Sequence, residues 1–150
     1  MADESVIARF VALLSPSRLA SGCIPWLGAL STNGHGRFWL GHRRVIIAHR
    51  FAYALAHGAA ALQLAPNLGH RCDEASCQNP DHLIATTTAT NTLEWVTRRE
   101  TIGNPLRDTR GAQGRALALR SAARAGEDLE RAARAGLPEV DRLLDRLPGL

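Results

Sequence analysis

The sequence predicts an α+β fold, with a small core of short strands and helices followed by a helical appendage. Three patterns predict it: apolar residues at helical spacing near the N-terminus, strand-like runs between glycine turns, and a tail rich in Ala, Leu and Arg. A chain of 150 residues suffices for one domain with a modest core, or for a small domain with an appendage. We divide it into an N-terminal helix (1–20), a core domain (21–100), a linker (101–114) and a helical tail (115–150).

The N-terminal segment is predicted to be a helix from Glu4 to Leu14. Pro16 ends the pattern, because proline lacks the amide hydrogen that a helix interior needs. We expect this helix to pack on the rest of the chain as a lid. Its apolar residues are Val6, Ile7, Phe10, Val11 and Leu14.

A β-hairpin and a helix are predicted next. Residues Arg37 to Leu40 and Arg44 to Ala48 form two strand-like runs, and His49 to His57 has apolar residues on one side. Gly58 ends this helix, as glycine commonly does. Residues that favour turns flank the first run, namely Asn33-Gly34, Gly36 and Gly41.

The central segment is predicted to run as strand, loop, strand and helix. The strands are Leu68 to Cys72 and Leu83 to Ala85, and the helix is Thr90 to Arg98. The connecting stretch up to Pro80 is polar and has no periodicity. Ordering such a loop costs conformational entropy that core burial does not repay, so the loop needs a cross-link of another kind.

The tail is predicted to form three short helices, Ala116 to Ala125, Asp128 to Ala135 and Pro138 to Leu147. A glycine follows each of the first two, and the break at Gly126 resembles the turn of a helix-turn-helix unit. Two interpretations stay open. The tail could read DNA as an appendage, or it could be an amphipathic hairpin that packs on the core or on a second subunit.

The chain is basic, with a net charge of +4. Every basic residue is Arg, which binds phosphate bidentately, so a nucleic-acid partner is one interpretation. The codon bias of a GC-rich genome is the other. The N-terminus lacks the basic start of a secretory signal, and no stretch approaches the roughly 20 apolar residues of a membrane span. We therefore expect a soluble cytoplasmic protein without a membrane partner.

Three cysteines and a histidine indicate a zinc site. Three cysteines cannot all pair in disulfides, and near histidines in a reducing compartment they favour metal binding. Cys72, Cys77 and His82 supply three ligands within one loop, and Cys23 is the natural fourth ligand of a tetrahedral site. Zinc binding contributes about 10 to 16 kcal/mol in model peptides, which is enough to order such a loop.

The run from Leu68 to Leu83, LGHRCDEASCQNPDHL, together with the later Asn91, resembles the His-Cys box homing endonucleases and the related phage HNH nucleases. Their pattern is a His-x-Cys, a second Cys, an Asn-Pro-x-His-Leu and a later Asn. The resemblance continues upstream in Gly34 to Phe38 and Ala48 to Tyr53, so it covers roughly Cys23 to Val96. It implies a zinc-stabilised ββα-metal nuclease core.

The resemblance also implies the roles of individual residues. His70 would be the general base that activates water, and Asn91 would bind the catalytic Mg²⁺. The two cysteines and the histidine of the loop would bind structural zinc with the upstream cysteine. Arg37 would stabilise the phosphate and the leaving group.

The chemistry of these residues is consistent with those roles. A neutral imidazole is a competent base at cytoplasmic pH, and an amide oxygen suits Mg²⁺. His70 lies two residues before Cys72, so on a strand both side chains would share a face. Three further arginines could contact DNA or stabilise the phosphate, and they are Arg43, Arg44 and Arg50.

Asn79 is interpreted as a brace of the zinc loop, because an Asn before proline is extended and can hydrogen-bond across a loop. Gly69 stands where many HNH enzymes have an acidic metal ligand, which favours a metal site with Asn91 alone. No cysteine follows Cys77, so one zinc ion is expected. The remaining histidines are left as structural or DNA-facing, and they are His35, His42, His49 and His57.

Two functions follow from the sequence. The first is a Mg²⁺-dependent endonuclease that cuts double-stranded DNA, encoded by a phage or another mobile element; a homodimer would serve to cut both strands. The second is a non-catalytic, zinc-dependent DNA-binding regulator. The joint presence of His70 and Asn91 favours the enzyme, because a zinc module alone needs neither residue.

Overall fold

The computed structural model of the chain describes residues 3–144 and 146, and it has a mixed α+β architecture with two small antiparallel sheets. Among the described residues, no helix combines the length and apolarity needed to cross a bilayer. The strands are β1 (Ala29–Leu30), β2 (Gly36–Gly41), β3 (Arg44–Ile47), β4 (Asn67–His70) and β5 (Leu83–Thr86). The helices are α1 (Glu4–Val11), α2 (Ala48–His57), α3 (Ala59–Gln63), α4 (Thr88–Arg98), α5 (Gly111–Ala125), α6 (Leu129–Arg134) and α7 (Glu139–Leu144).

Helix α1 contributes to the main hydrophobic core. Its buried residue Phe10 packs against Trp26, Phe38 and Phe51, with ring centroids 5.2, 5.2 and 4.9 Å away. The helix packs on the rest of the chain, as predicted, but its buried aromatic ring makes it part of the core and not a lid over it. The helix also ends three residues before the predicted end, and Leu14 forms an isolated β-bridge with Trp26 instead.

Strands β2 and β3 form the predicted hairpin, and β1 pairs with the other side of β2. His42 and Arg43 occupy the turn with φ angles of 48° and 61°, a left-handed conformation that non-glycine residues seldom adopt. Helix α2 follows directly and ends at Gly58, which has a φ of 89°. Helix α3 was not predicted, because five residues are too few to show a periodicity.

Strands β4 and β5 pair antiparallel and lead into α4, with His70 opposite Leu83. The order of strand, loop, strand and helix is the predicted one. Strand β4 ends at His70, so Cys72 lies in the following turn and does not share a strand face with it. Thr87 begins α4, because its hydroxyl oxygen accepts a hydrogen bond from the backbone amide of Thr90 at 3.1 Å.

The segment 101–114 is not the linker that the sequence predicted. It contains a 3-10 helix, Pro105–Arg107, and the first residues of α5. Asp108 is buried, and its carboxylate accepts hydrogen bonds from Arg110 and Arg115. Apolar periodicity, which predicted the other elements, does not detect a segment that is held by ion pairs.

The C-terminal helices pack on the cysteine-containing part of the chain. Leu119 and Ala122 of α5, with two residues of α6, join Cys23 and Cys77 in a second hydrophobic cluster. Of the two interpretations of the tail, the structure shows packing on the core of the same chain. The predicted end of the last helix, Leu147, lies outside the described residues.

Candidate metal centre and active-site cleft

The four predicted zinc ligands lie together. Their ligand atoms, in Cys23, Cys72, Cys77 and His82, are all within 4.8 Å of one another. The sulfurs of Cys23 and Cys77 are each 3.5 Å from His82 Nδ1. Tetrahedral zinc, with Zn–S near 2.3 Å and Zn–N near 2.05 Å, requires an S···N separation of about 3.5 Å. The cysteines are free thiols, so this cluster could hold a metal such as zinc.

The thiols of the cluster do not titrate independently. Hydrogen bonds from Cys23 and Cys72 lower the pKa of Cys77 to about 4, whereas the hydrogen bonds to Cys23 and Cys77 raise the pKa of Cys72. Three thiols in contact thus concentrate negative charge on one sulfur. A divalent cation that displaced the remaining protons would relieve this coupling, because metal ligands bind as thiolates.

Backbone pairing brings Cys23 to the loop that holds the other three ligands. Pro25 bridges to Cys77 in antiparallel fashion, and the amide of Gln78 donates to the carbonyl of Ile24 at 2.8 Å. The upstream chain therefore runs beside the loop as an extra strand-like segment. The four ligands are held by main-chain hydrogen bonds as well as by any metal.

Asn79 makes hydrogen bonds across the same loop. Its Nδ2 donates to the carbonyl of Gly22 at 3.0 Å, and its Oδ1 accepts from the amide of Asp81 at 3.1 Å. Its own amide donates to Cys77 Sγ at 3.4 Å. Gly22 has a φ of 86°, a conformation that glycine adopts without strain. Asn79 thus joins the segment that carries Cys23 to the segment that carries His82.

A cleft of about 200 Å³ lies beside the metal cluster, and both His70 and Asn91 line it. His70 is at the end of β4 and Asn91 is on α4, so two separate elements bring the side chains to one opening. His35, Asp73 and Arg98 also line the cleft. The cleft therefore combines an imidazole and a carboxamide with further polar groups.

His70 is held in one tautomer. Its Nε2 donates to the carbonyl of Cys77 at 3.0 Å, because a carbonyl oxygen only accepts. The other ring nitrogen, Nδ1, is then the unprotonated one in the neutral ring. Burial lowers the pKa of His70 below its usual 6.5, so the ring is neutral near pH 7. The loop that carries Cys77 thus orients a histidine whose Nδ1 can accept a proton.

Asn91 lies against Gly69 of β4. A Cβ atom at position 69 would lie 2.7 Å from Asn91 Oδ1, closer than real Cβ contacts. The glycine that precedes His70 therefore leaves the space that the amide oxygen occupies. In the sequence, Gly69 was noted only as the place of a missing acidic ligand.

Two further histidines surround His70, and the sequence analysis assigned them no ligand role. The ring centroids of His35 and His49 lie 6.0 and 4.6 Å from that of His70, and 5.2 Å from each other. Burial and the charge of His70 lower the pKa of His49 to about 2 and that of His35 to about 4. His49 is buried, and its Nδ1 has no hydrogen-bond partner among the described residues. These histidines come from distant parts of the chain, so no local spacing could have revealed the cluster.

The arginine that lines the cleft is Arg98. Its guanidinium donates to Asp73 Oδ1 at 2.9 and 3.1 Å and to the carbonyl of His70 at 3.4 Å. Asp73 Oδ2 accepts from Asn104 at 2.8 Å. Arg98 thus ties α4 to the loop that follows the candidate base. The sequence predicted Arg98 as the last residue of the helix, but nothing in the helical pattern predicted its contacts with Asp73 and His70.

The arginines predicted to contact DNA lie away from the cleft lining. Arg37 is exposed on β2, and Arg43 and Arg44 are exposed at the hairpin turn. Arg50, on α2, donates to the carbonyls of Ala65 and Pro66 at 3.5 and 3.3 Å. Three of the four arginines are thus on the surface. The fourth, Arg50, hydrogen-bonds to the segment that precedes β4.

Comparison with known proteins identifies two relatives from a bacteriophage. Protein 2.8 of Escherichia phage T7 is 31% identical over 80 residues, which cover 53% of this chain and 52% of that protein. Protein 7.7 of the same phage is 27% identical over 125 residues, or 83% of this chain and 93% of that protein. The match with Protein 2.8 therefore spans about half of its length. No protein-family model matches the chain. No solved structure matches it either.

Proposed function

We propose that this protein is a divalent-metal-dependent endonuclease of the HNH, His-Cys box type, with a ββα-metal core formed by β4, β5 and α4. Its substrate would be the phosphodiester bond of double-stranded DNA. The observation that supports this best is the cleft shared by His70 and Asn91 beside the cysteine cluster. An imidazole base and a carboxamide ligand in one opening are two of the groups that metal-assisted phosphodiester hydrolysis needs.

In the proposed reaction, water attacks the scissile phosphorus while His70 Nδ1 accepts one of its protons. The P–O bond to the leaving sugar oxygen breaks, and that oxygen departs as an alkoxide that takes a proton from solvent. The hydrogen bond from His70 Nε2 to the Cys77 carbonyl keeps the ring in the required tautomer and orientation. Mg²⁺ bound at the Asn91 amide oxygen would supply positive charge for the phosphate and the leaving oxygen. Because Asn33 and Asn91 of the cleft lining are exposed, a phosphate of a DNA backbone could reach the cleft without opening the core.

The zinc ion has a structural role in this proposal. Four protein ligands complete a tetrahedral site and leave no position for water or substrate. Its effect on catalysis would be indirect, through Cys77, which is both a ligand and the residue whose carbonyl orients His70. Zinc binding and base orientation are therefore coupled.

The exposed face of the hairpin is the proposed DNA-binding surface. Arg37, Arg43 and Arg44 are exposed there, and Trp39 is 56% exposed beside them. Arginines bind phosphates, and a two-stranded ribbon fits the major groove. We propose that Arg37, Arg43 and Arg44 bind phosphates of the DNA backbone beside the cleft, and that a homodimer forms when both strands are cut. The phage relatives support a role in the cytoplasm of an infected bacterium.

A plasmid assay tests the proposal. The zinc-loaded protein should convert supercoiled plasmid to nicked or linear DNA when Mg²⁺ is added, and it should not do so without added divalent cation. His70→Ala should lower the rate about 10²- to 10⁴-fold, the usual range for a general base, with zinc content and DNA binding unchanged. His57→Ala is the matched control, since His57 is an exposed histidine that does not line the cleft.

The same assay separates the enzyme from the non-catalytic regulator. If the protein shifts DNA in a gel but does not cut it, whichever divalent cation is added, it is the zinc-dependent regulator and the nuclease proposal is rejected. If the His70→Ala protein cuts at the normal rate, the base is assigned to the wrong residue.

A further inference from the structure

We infer that His35 is a second ligand of the catalytic cation, beside Asn91, and that the site therefore prefers Mn²⁺ or Co²⁺ to Mg²⁺. The inference rests on the proposed function, because that function places a cation at Asn91. It assigns a role to a histidine for which the sequence showed no pattern.

The carboxylate ligands that Mg²⁺ commonly takes are scarce in this cleft. Asp73 is the one carboxylate among the described residues that line it, and its side chain is 6% exposed. One carboxylate oxygen accepts two hydrogen bonds from Arg98 and the other accepts one from Asn104. Gly69 stands next to the base, where an acidic side chain would collide with Asn91. A cation at Asn91 therefore has no free carboxylate to bind among the described residues that line the cleft.

Of the clustered imidazoles, His35 is the one that remains available. His70 uses Nε2 to bind the Cys77 carbonyl and needs Nδ1 for the attacking water. His49 is 4% exposed and is packed edge-on against both neighbouring rings. His35 lines the cleft together with Asn91 and His70. Its ring stacks on that of His70, with an angle of 27° between the ring planes.

The backbone around His35 is well held, which suits a metal ligand. Its amide donates to Ser31 Oγ at 3.2 Å, and its carbonyl accepts from the Ser31 amide at 2.9 Å. Gly34 approaches α5 so closely that a Cβ there would be 2.6 Å from the carbonyl oxygen of Ala112. The turn that carries His35 is thus fixed against the helix that forms another wall of the cleft.

The chemical consequence is a preference among cations. Imidazole nitrogen is a borderline ligand, whereas Mg²⁺ selects oxygen ligands and keeps most of its water. For a site with nitrogen and oxygen ligands, affinity rises from Mn²⁺ to Co²⁺ and Ni²⁺. One imidazole added to one amide oxygen should therefore shift the site toward these ions.

Binding of Mn²⁺ to the full-length, zinc-loaded protein without DNA tests the inference. Zinc first occupies the cysteine cluster, so that added Mn²⁺ reports on the cleft. Pulsed electron paramagnetic resonance of the bound Mn²⁺ should show coupling to a directly bound imidazole nitrogen. His35→Ala should remove this coupling and weaken Mn²⁺ binding at least 10-fold, while it changes Mg²⁺ binding less. His70→Ala should keep the coupling, and His57→Ala should change nothing.

The outcomes separate this inference from the proposed function. If His35→Ala leaves the nitrogen coupling and the Mn²⁺ affinity as in the parent, or weakens Mn²⁺ and Mg²⁺ equally, His35 is not a ligand even if the protein cuts DNA. If the coupling is present and depends on His35 but no DNA is cut, the metal site stands and the nuclease proposal fails. Unchanged zinc content and circular dichroism in each variant show that the fold is intact.

Discussion

At the scale of single residues, the position of Asn91 depends on the absence of a side chain at residue 69. The amide oxygen would be 2.7 Å from a Cβ at that position. A glycine here is needed for space, since its backbone does not adopt a left-handed φ. The residue before the candidate base and the candidate metal ligand on α4 therefore form one steric unit.

Replacing Gly69 with alanine tests this unit. The added methyl group should displace the Asn91 amide from the cleft, and a displacement near 1 Å can cost about 100-fold in rate. We expect divalent-dependent DNA cleavage to fall by roughly that factor. Zinc content, measured by atomic absorption, should stay at the parent value. Full activity in Gly69→Ala would show that the position of Asn91 is not critical.

His49 gives the stability of the protein a defined pH dependence. Burial lowers its pKa to about 2, so the folded state keeps it neutral while the unfolded state binds a proton below about pH 6.5. The free energy of unfolding is then unaffected by this group above pH 6.5 and decreases as the pH falls below that value. Between pH 7 and pH 5 the loss from His49 should be about 2 kcal/mol.

Urea unfolding of the parent and of His49→Gln at both pH values checks this expectation. Glutamine does not titrate, so the stability gap between the two proteins should narrow by about 2 kcal/mol at pH 5. Zinc content is followed in parallel, since acid also protonates the metal ligands. A gap that stays constant over this pH range would mean that His49 is not a buried neutral group.

At the scale of elements, a buried ion pair joins α5 to the loop between Cys72 and Cys77. Arg115 Nε is 2.6 Å from Glu74 Oε2, and the two side chains are 7% and 1% exposed. Arg115 also donates to Asp108 at 3.2 Å and to the Ala133 carbonyl at 2.8 Å. Burial raises the pKa of Glu74 and the nearby Arg115 counteracts this, so the carboxylate depends on its partner.

Removing the cation alone should be strongly destabilising. In Arg115→Met, Glu74 stays buried without its partner, and breaking such a pair typically costs about 3 to 5 kcal/mol. The double variant Glu74→Gln, Arg115→Met should recover a large part of this loss, because no unpaired charge remains. Urea titrations of the parent and both variants measure it. Equal losses in the single and double variants would indicate that packing dominates over charge.

The elements also show how far sequence can predict this fold. The hairpin, α2 and α4 were predicted within a few residues, because turn residues and periodicity are local signals. The four residues of the candidate metal cluster were predicted as a set, because ligand types and spacing are informative by themselves. By contrast, segment 101–114 is held by hydrogen bonds of Asp108 with Arg110 and Arg115, which leave no apolar periodicity in the sequence. The histidine cluster was missed because distant segments build it.

At the scale of the whole molecule, the two hydrophobic clusters depend on the metal site to different degrees. The first, around Phe10 and Phe38, contains no metal ligand. The second places Cys23 and Cys77 against Leu119 and Ala122 of α5. The C-terminal helices thus complete the burial of the cysteine cluster, and a metal bound there would support the C-terminal helices.

Removal of zinc should therefore loosen α5 before the first cluster. After treatment with a strong chelator, or in Cys72→Ser, hydrogen exchange should speed up in the amides of residues 116–122. Amides around Phe38 should keep more of their protection, because their packing does not involve the cluster. Equal acceleration in both regions would show a single cooperative unit instead.

The distribution of the four ligands has a consequence for how the protein matures. Because Cys23 and Cys72 both belong to the cluster, one bound ion closes a ring that encloses the hairpin and α2. A cross-link that closes a ring of about 50 residues lowers the entropy of the unfolded chain, which stabilises the folded state by roughly 4 kcal/mol. When zinc is scarce, a newly made chain would lack this cross-link. The orientation of the His70 imidazole, which depends on the same loop, would be lost with it. The availability of a trace element would then set how much of the protein reaches its folded, metal-bound form.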